Sequence, residues 1–168
     1  MNLIYISFGS NVHDRISFIK QALNNLIKAA KAENILISPV YKTTPIDMDS
    51  ENFFLNGIIK FHSELDPFKI LEITKKIEME LGRPDSEKGK KLDRTIDLDI
   101  ILFNNDRIDE PELKIPHPGL KKRLFVLIPL LEISPDLIDP ETGQILKNII
   151  NFSEFSGQAI EKTTIKIF

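Results

Sequence analysis

The stretch DPFKILEITKKIEMELG, residues Asp66–Gly82, carries the clearest secondary-structure signal in this chain. Asp66 followed by Pro67 is typical of an N-cap and a first helical position. Apolar residues then recur every three or four positions until Gly82, a residue that commonly ends a helix. The spacing therefore predicts an amphipathic helix with one buried face.

The segments on both sides of this helix complete a strand and helix pattern. Leu3–Phe8 is typical of a buried strand, and a helix with an apolar stripe follows it to about Lys31. Further strands are predicted at Ile35–Tyr41, from about Phe53, and at Thr95–Phe103. The order βαββαβ predicts an α+β, ferredoxin-like fold, with an antiparallel sheet covered on one face by two helices.

Two polar segments interrupt this pattern. Thr43–Glu51 contains proline, and Arg83–Arg94 is almost wholly polar, so we expect mobile loops around both. Downstream, Phe125–Glu132 is predicted to be a short helix, and Asn151–Phe168 a polar turn and a final strand without recognisable chemistry. Because no repeat or linker is visible, we expect one domain over residues 1–168.

Composition excludes several classes of protein. The chain has 22 basic and 25 acidic residues and a formal charge of -3, which does not favour a nucleic-acid partner. It has no cysteine, which excludes disulfides and agrees with a reducing compartment. No apolar run approaches the roughly 20 residues of a membrane span, and no signal peptide is evident at the start. We expect a soluble, cytoplasmic and monomeric protein.

Two aspartates lie two residues apart in the sequence RTIDLDIILF, Arg94–Phe103. On a strand, Asp97 and Asp99 face the same side, roughly 7 Å apart at the backbone. Such carboxylates can converge on magnesium, whose coordination is completed by water and substrate phosphates. The spacing alone leaves an alternative open, a half-exposed strand with one solvated acidic face.

Single residues elsewhere are weaker indicators. Asn56 interrupts an apolar strand, and with Phe125 it could bind the edge and face of a flat heterocycle; it could equally bond only to neighbouring backbone. His117, between two prolines, is held in a restricted loop that could direct it at a phosphate. A lone loop histidine or a lone Arg123 is more often simply exposed to solvent.

Taken in order, several motifs resemble the hydroxymethyldihydropterin pyrophosphokinases of folate synthesis. The most specific is RTIDLD, Arg94–Asp99. The resemblance covers about residues 1–150. The other motifs are SFGSN (Ser7–Asn11), SPVY (Ser38–Tyr41) with Thr43-Thr44-Pro45, FLN (Phe54–Asn56), Glu78 through Gly82-Arg83, and Pro116-His117 with Arg123 and Phe125.

The resemblance implies a function and a set of site residues. It implies transfer of pyrophosphate from ATP to 6-hydroxymethyl-7,8-dihydropterin, with two magnesium ions bound by Asp97 and Asp99. The implied catalytic residues are Arg83, Arg94, Asp97 and Asp99. The implied pterin-binding residues are Thr43, Thr44, Pro45, Ile46, Phe54, Asn56 and Phe125, with the two phenylalanines on either side of the ring. The implied ATP-binding residues are Glu78, Arg83, Arg94, Ile100, His117 and Arg123.

The chain departs from the family pattern in its second polar loop. Many members carry an arginine and a tryptophan before the position of Arg94, whereas this chain has no tryptophan and instead offers Lys88, Lys90 and Lys91. Polar ATP contacts of the family are not carried over to Glu112 and Lys114. Two other classes stay open at this point: a metal-assisted phosphodiesterase using the same aspartates, and a non-catalytic ferredoxin-like sensing domain.

Overall fold

The computed structural model of the protein describes residues 1–46, 50–83 and 92–168. Its elements in chain order are β1 (Asn2–Ser10), α1 (Arg15–Ala29), β2 (Glu33–Ile37), β3 (Tyr41–Thr43), β4 (Phe54–Ser63), α2 (Pro67–Glu80), β5 (Asp97–Phe103), β6 (Ile108–Asp109), β7 (Lys114–Ile115), α3 (Leu124–Ile133), α4 (Leu146–Ile149), a short 3-10 helix (Phe152–Phe155) and β8 (Ile160–Lys162).

The strands of the described residues form one six-stranded antiparallel sheet and a small β6-β7 ribbon. Five strands of the sheet lie in the order β5-β1-β4-β3-β8, and β2 pairs with β4 next to β3. The central strand β1 pairs with β4 along its whole length, from Asn2 opposite Ser63 to Ser10 opposite Leu55. This arrangement, with α1 and α2 following β1 and β4, confirms the predicted α+β, ferredoxin-like fold.

The helix predicted over Asp66–Gly82 is confirmed together with the signals at its ends. Asp66 Oδ1 accepts hydrogen bonds from the backbone N–H groups of Phe68 and Lys69, both at 3.0 Å. Gly82 follows the helix with a φ of +91°, a conformation that glycine adopts with little strain. Helices α1 and α2 cover one face of the sheet with buried side chains that include Ile19, Leu23, Leu26, Ile70 and Ile77.

The opposite face of the sheet is also covered, which the sequence did not predict. Helix α3, with the sequence LFVLIPLLEI, packs Val126, Leu127 and Leu130 in one core cluster with Tyr5 and Ile58 of the sheet. A helix that is apolar around most of its surface is typical of a buried one. Core side chains therefore pack on both faces of the sheet.

The prediction of one continuous strand over Ile35–Tyr41 is wrong, because β2 ends at Ile37 and β3 begins at Tyr41. Pro39 has no N–H to donate to a neighbouring strand. Ser38 Oγ instead accepts from the N–H of Ile58 at 2.9 Å. The register gives this edge one more residue than β4 between the two pairings, so the chain bulges there.

The C-terminal segment closes an edge of the sheet, as the predicted final strand suggested. Strand β8 pairs with β3, and Ile167 is buried in the core. Glu132 of α3 accepts hydrogen bonds from Tyr41 and Lys162, which joins helix, strand and tail. Burial and the hydrogen bond to Glu132 raise the pKa of Tyr41 above its ordinary value. The tail thus anchors β3, which leads into the predicted pterin-binding residues.

Among the described residues, none of the helices combines the length and the apolar character that crossing a membrane requires.

Candidate active site

One row of paired residues crosses the sheet at the centre of the candidate site. Gly9 of β1 pairs with Asp97 of β5 on one side and with Asn56 of β4 on the other. Directly opposed residues of antiparallel strands share a face, and strands lie about 4.8 Å apart. The Cα atoms of Asp97 and Asn56 are therefore separated by roughly 10 Å, with no side chain between them.

Gly9 allows the asparagine side chain to lie over the strand. A Cβ atom at position 9 would stand 2.4 Å from Asn56 Oδ1, a distance that no real contact tolerates. Asn56 Nδ2 donates to Thr43 Oγ1 at 2.7 Å, and both side chains are buried. Two of the residues predicted to bind pterin are therefore in contact, and the glycine of the SFGSN motif sets the position of one of them.

Asp97 lies between two arginines that the sequence also predicted. Arg83 Nη1 bonds to Asp97 Oδ1, and Arg94 Nη1 lies 2.9 Å from Asp97 Oδ2. Burial alone lowers the pKa of the Arg83 guanidinium, but the charges of Asp97, Glu78 and Asp99 outweigh it and raise the pKa. Arg83 is therefore charged, and both arginines are fixed beside Asp97, where they can balance the charge of a polyphosphate.

The buried side chain of Glu78 contacts both Arg83 and the strand that carries the aspartates. It is 3 % exposed, and its Oε1 accepts from the N–H of Leu98 at 2.7 Å and lies 3.2 Å from Arg83 Nη1. The N–H of Leu98 belongs to β5, between the two aspartates, so Glu78 joins α2 to the strand that carries them. Its position in the interior indicates that it orients Arg83 and β5.

Asp99, Ile100 and His117 lie together around one pocket of about 210 Å³. Two residues on β5 and one residue far along the chain are therefore neighbours around this pocket. Glu112 and Lys114, left out of the predicted ATP contacts, also line it. The remaining lining residues are Leu71, Leu98, Pro111, Leu113 and Pro118.

A β-bulge in β5 places His117 against the sheet. Tyr5 and Ile6 pair with Leu102 and Ile100, which leaves Ile101 as an extra residue. The carbonyl of Ile101 accepts from the N–H of His117 at 2.9 Å. His117 Nδ1 accepts from the N–H of Gly119 at 2.9 Å, so a neutral ring carries its proton on Nε2.

Each phenylalanine predicted to contact the pterin ring has one of the predicted arginines beside it. The guanidinium of Arg94 lies 5.8 Å from the ring centre of Phe54, and that of Arg123 lies 5.7 Å from the ring centre of Phe125. Arg123 also packs on Gly119, where a Cβ would meet its Cδ and Nε at 3.0 Å. The aromatic and cationic groups of the candidate site are therefore interleaved.

Three predicted pterin-binding residues, Thr44, Pro45 and Ile46, are exposed or only half-buried. Thr44 is exposed, and its N–H donates to the carbonyl of Ala159 at 3.4 Å, while Pro45 and Ile46 are half-buried. Residues 47–49 of the first loop predicted to be mobile lie outside the described part of the chain. Residues 84–91, which include Lys88, Lys90 and Lys91 and form most of the second loop, lie outside it as well. Arg83, at the start of the second loop, is buried and fixed.

The two aspartates fit a magnesium ion chemically. No group of three or more His, Cys, Asp or Glu side chains able to hold a metal ion occurs in the described ranges. Asp97 and Asp99 share one face of β5, and the Asp97 side chain is 22 % exposed. Two carboxylates that leave other positions to water and phosphate oxygens are the environment that magnesium favours.

Sequence reasoning missed one cluster next to this site. Asp93 accepts hydrogen bonds from Asn11, Ser50 and Asn52, at 2.6 Å each. Asn11 belongs to the SFGSN motif and directly follows β1. Asp93 is 82, 43 and 41 positions away from Asn11, Ser50 and Asn52, and contacts over such separations leave no periodic signal in the sequence.

The fold and the site define a ferredoxin-like domain with a carboxylate pair, clustered arginines and buried polar groups suited to an anionic substrate. Residues 5–135 match the model of the 7,8-dihydro-6-hydroxymethylpterin-pyrophosphokinase family. The chain belongs to this family. The match confirms the family named by the resemblance.

Relatives of similar length support this assignment. The chain is 41 % identical over 132 residues to the 2-amino-4-hydroxy-6-hydroxymethyldihydropteridine pyrophosphokinase of Bacillus subtilis, covering 79 % of this chain and 78 % of the relative. The enzyme of the same name from Aquifex aeolicus is 41 % identical over 147 residues, which are 88 % of this chain and 89 % of the relative.

Solved structures agree at the level of the fold. The HPPK-DHPS protein of Plasmodium falciparum with pteroate superposes with a TM-score of 0.70 at 14 % sequence identity. The match covers 93 % of this chain but only 45 % of that longer one. At this identity the likeness concerns the architecture alone.

Replacing Glu78 with glutamine tests its role as a buried support. The amide keeps one acceptor but removes the charge beside Arg83, so we expect Glu78→Gln to lower the free energy of unfolding by about 1–3 kcal/mol. Urea denaturation followed by circular dichroism measures the change. Glu80→Gln, on the same helix but about half exposed, is the matched control and should change stability little; equal effects in both variants would contradict the assignment.

Proposed function

We propose that this protein transfers the pyrophosphoryl group of ATP to 6-hydroxymethyl-7,8-dihydropterin, giving AMP and the pterin diphosphate, in tetrahydrofolate biosynthesis. Family membership supports the reaction. The observation that supports the site is the row Asp97–Gly9–Asn56. It gives a carboxylate for the phosphate end and an amide for the heterocycle on one face, about 10 Å apart.

The pterin is proposed to bind at the Asn56 end of this row. Asn56 and Thr43 supply polar atoms for the edge of the ring, and Gly9 leaves room above the strand. Phe54 and Phe125 supply aromatic faces, and Thr44, Pro45 and Ile46 are proposed to complete the pocket. A flat ring bound in this way gains apolar burial and a directional hydrogen-bond pattern.

ATP is proposed to bind at the Asp99 end. The pocket lined by Ile100 and His117 is apolar at Leu71, Leu98 and Leu113, as a nucleoside requires. His117 offers Nε2 as its hydrogen-bond donor, since Nδ1 accepts from Gly119, and Arg83, Arg94 and Arg123 neutralise phosphate charge. Glu78 acts through Arg83, with which it is paired in the interior.

The aspartates are proposed to hold the two magnesium ions of the reaction. Their oxygens match the ligand preference of magnesium, and the neighbouring Arg83 and Arg94 keep the Asp97 carboxylate oriented. Bound there, magnesium supplies charge neutralisation for the polyphosphate and for the attacking oxygen.

The chemistry then needs little from the protein beyond placement. The hydroxymethyl oxygen attacks the β-phosphorus of ATP, a new O–P bond forms, and the bond from the β-phosphorus to the oxygen bridging to the α-phosphorus breaks. The hydroxyl proton passes to solvent, and AMP leaves with the bridging oxygen. Arg83 and Arg94 offset the charge on the transferring group without forming a covalent intermediate.

We propose further that the chain acts as one domain and as a monomer in the cytoplasm. The shared core clusters on both faces of the sheet support a single folding unit. The absence of cysteine from the sequence is in keeping with a reducing compartment.

The test of the reaction is product analysis. The protein is incubated with magnesium, ATP and 6-hydroxymethyl-7,8-dihydropterin, and the nucleotides are separated by chromatography. We expect AMP that depends on both the pterin and magnesium. AMP without pterin would indicate hydrolysis, ADP a simple kinase, and unchanged ATP would favour a sensing domain; each of these results contradicts the proposal.

Asp99→Asn tests the metal assignment. This residue is preferable to Asp97, whose replacement also removes ion pairs to two arginines. We expect turnover to fall by about a hundredfold or more, because the substitution removes a charge that acts at the reacting phosphate. Asp106→Asn, an exposed residue beyond the other end of β5, makes the same change in net charge and should retain activity. Unchanged turnover in Asp99→Asn would refute the assignment.

Gly9→Ala tests the pterin end. The new Cβ displaces the Asn56 side chain from its place over β1, so we expect the KM for pterin to rise by roughly tenfold or more while the KM for ATP changes little. Steady-state kinetics with each substrate varied in turn measures both constants. Gly157→Ala, where the added carbon meets nothing within 4 Å, is the control. A larger change in the KM for ATP would argue against this placement of the pterin.

A further inference from the structure

The carboxylate of Asp93 joins three segments that are far apart in sequence. Asp93 Oδ1 accepts from Asn11 Nδ2 and from Ser50 Oγ, and Asp93 Oδ2 accepts from Asn52 Nδ2, with each distance at 2.6 Å. Asn11 follows β1 directly, Ser50 and Asn52 precede β4, and Asp93 precedes β5. The three strands that carry the row Asp97–Gly9–Asn56 are thus tied together at one end.

Backbone hydrogen bonds strengthen this junction, by which we mean Asp93 with Asn11, Ser50 and Asn52. The N–H of Arg94 donates to Asn11 Oδ1 at 2.7 Å, and the N–H of Asn11 donates to the carbonyl of Arg94 at 3.2 Å. The Asn11 side chain thereby binds both Asp93 and Arg94. Hydrogen bonds to a charged acceptor are stronger than neutral ones, and the bonds from Ser50, Asn52 and Asn11 hold the pKa of Asp93 below its ordinary value.

The junction controls two residues of the proposed site. Arg94 is the next residue after Asp93, and Phe54 lies two residues after Asn52. Their side chains meet, with the guanidinium 5.8 Å from the ring centre. Arg94 also pairs with Asp97. The position of the Asp93 carboxylate therefore fixes the phosphate-binding arginine relative to the aromatic ring proposed to contact the pterin.

We propose that Asp93 is a positioning residue for pyrophosphoryl transfer, which holds Arg94 and Phe54 in register with each other through Asn11, Ser50 and Asn52. It touches neither substrate. This inference rests on the proposed function, since it concerns the alignment of the proposed phosphate and pterin sites.

An exchange of partners tests the role. Asp93→Asn places an amide opposite the amide of Asn52, and Asn52→Asp places two carboxylates opposite each other. In the double variant Asp93→Asn/Asn52→Asp the amide of residue 93 donates to the carboxylate of residue 52, and its oxygen still accepts from Asn11 and Ser50. The double variant therefore restores all three hydrogen bonds with donor and acceptor reversed at one of them.

Steady-state kinetics supply the first readout. We expect each single variant to lower kcat/KM for the pterin by roughly tenfold or more, because misalignment of a reacting pair by about 1 Å is sufficient for such losses. The double variant should recover most of the activity, a coupling that independent sites do not give. Asp106→Asn makes the same charge change as Asp93→Asn away from the site and should behave like the wild-type protein.

NMR provides a readout without substrate. The side-chain amide signals of Asn11 and Asn52 should move together in Asp93→Ala towards the positions of solvent-exposed amides, and unfolding temperatures identify any variant that fails to fold. Two results would overturn this inference alone, provided that the wild-type protein is active. One is an Asp93→Asn variant with the same kinetics as the wild-type protein, and the other is a double variant no more active than the single variants. A wild-type protein that forms no AMP would overturn the proposed function and this inference together.

Discussion

The charge on Arg83 has to be balanced inside the protein, and much of the candidate site follows from how this is done. The guanidinium is only 3 % exposed, where an unpaired charge would be strongly destabilising. Glu78 and Asp97 both compensate it at the same nitrogen, Nη1. One carboxylate comes from α2 and the other from β5, so the same charge that stabilises the helix and strand packing also orients the aspartate proposed to bind metal.

This arrangement combines stability with function in one set of atoms. Asp97 cannot move far without leaving Arg83 undercompensated, and Arg94 holds its second oxygen. Such a carboxylate is already oriented before any ligand arrives, which reduces the reorganisation that binding requires. A more flexible aspartate would have to be ordered at each catalytic cycle.

Local sequence signals predicted the elements whose causes are local. The N-cap of α2 and its glycine end depend on residues within a few positions, and so does the alternation that separates the aspartates of β5 from Leu98 and Ile100. The break between β2 and β3 was missed because a run of β-branched and aromatic residues outweighed Pro39 in the sequence pattern. In the sheet, the missing N–H of that proline governs the pairing.

Contacts across the sheet could not be derived in the same way. The approach of Asn56 to Gly9 depends on the register between two strands that are more than 40 residues apart in sequence. The hydrogen bonds to Asp93 depend on the meeting of three separate chain segments. The resemblance to a family named the proposed site residues without explaining their geometry. Asp93, by contrast, lies just outside the RTIDLD motif, so its contacts are seen only in the folded structure.

At the bulge, the position of His117 does not depend on which amino acid occupies position 101. The contact is made by a backbone carbonyl, which every amino acid possesses. Residue 101 is thus constrained by the core it fills and not by the histidine it holds. Over evolution, substitutions in this strand can accumulate without moving the imidazole, whereas deletion of a single residue would shift the pairing and take the histidine with it.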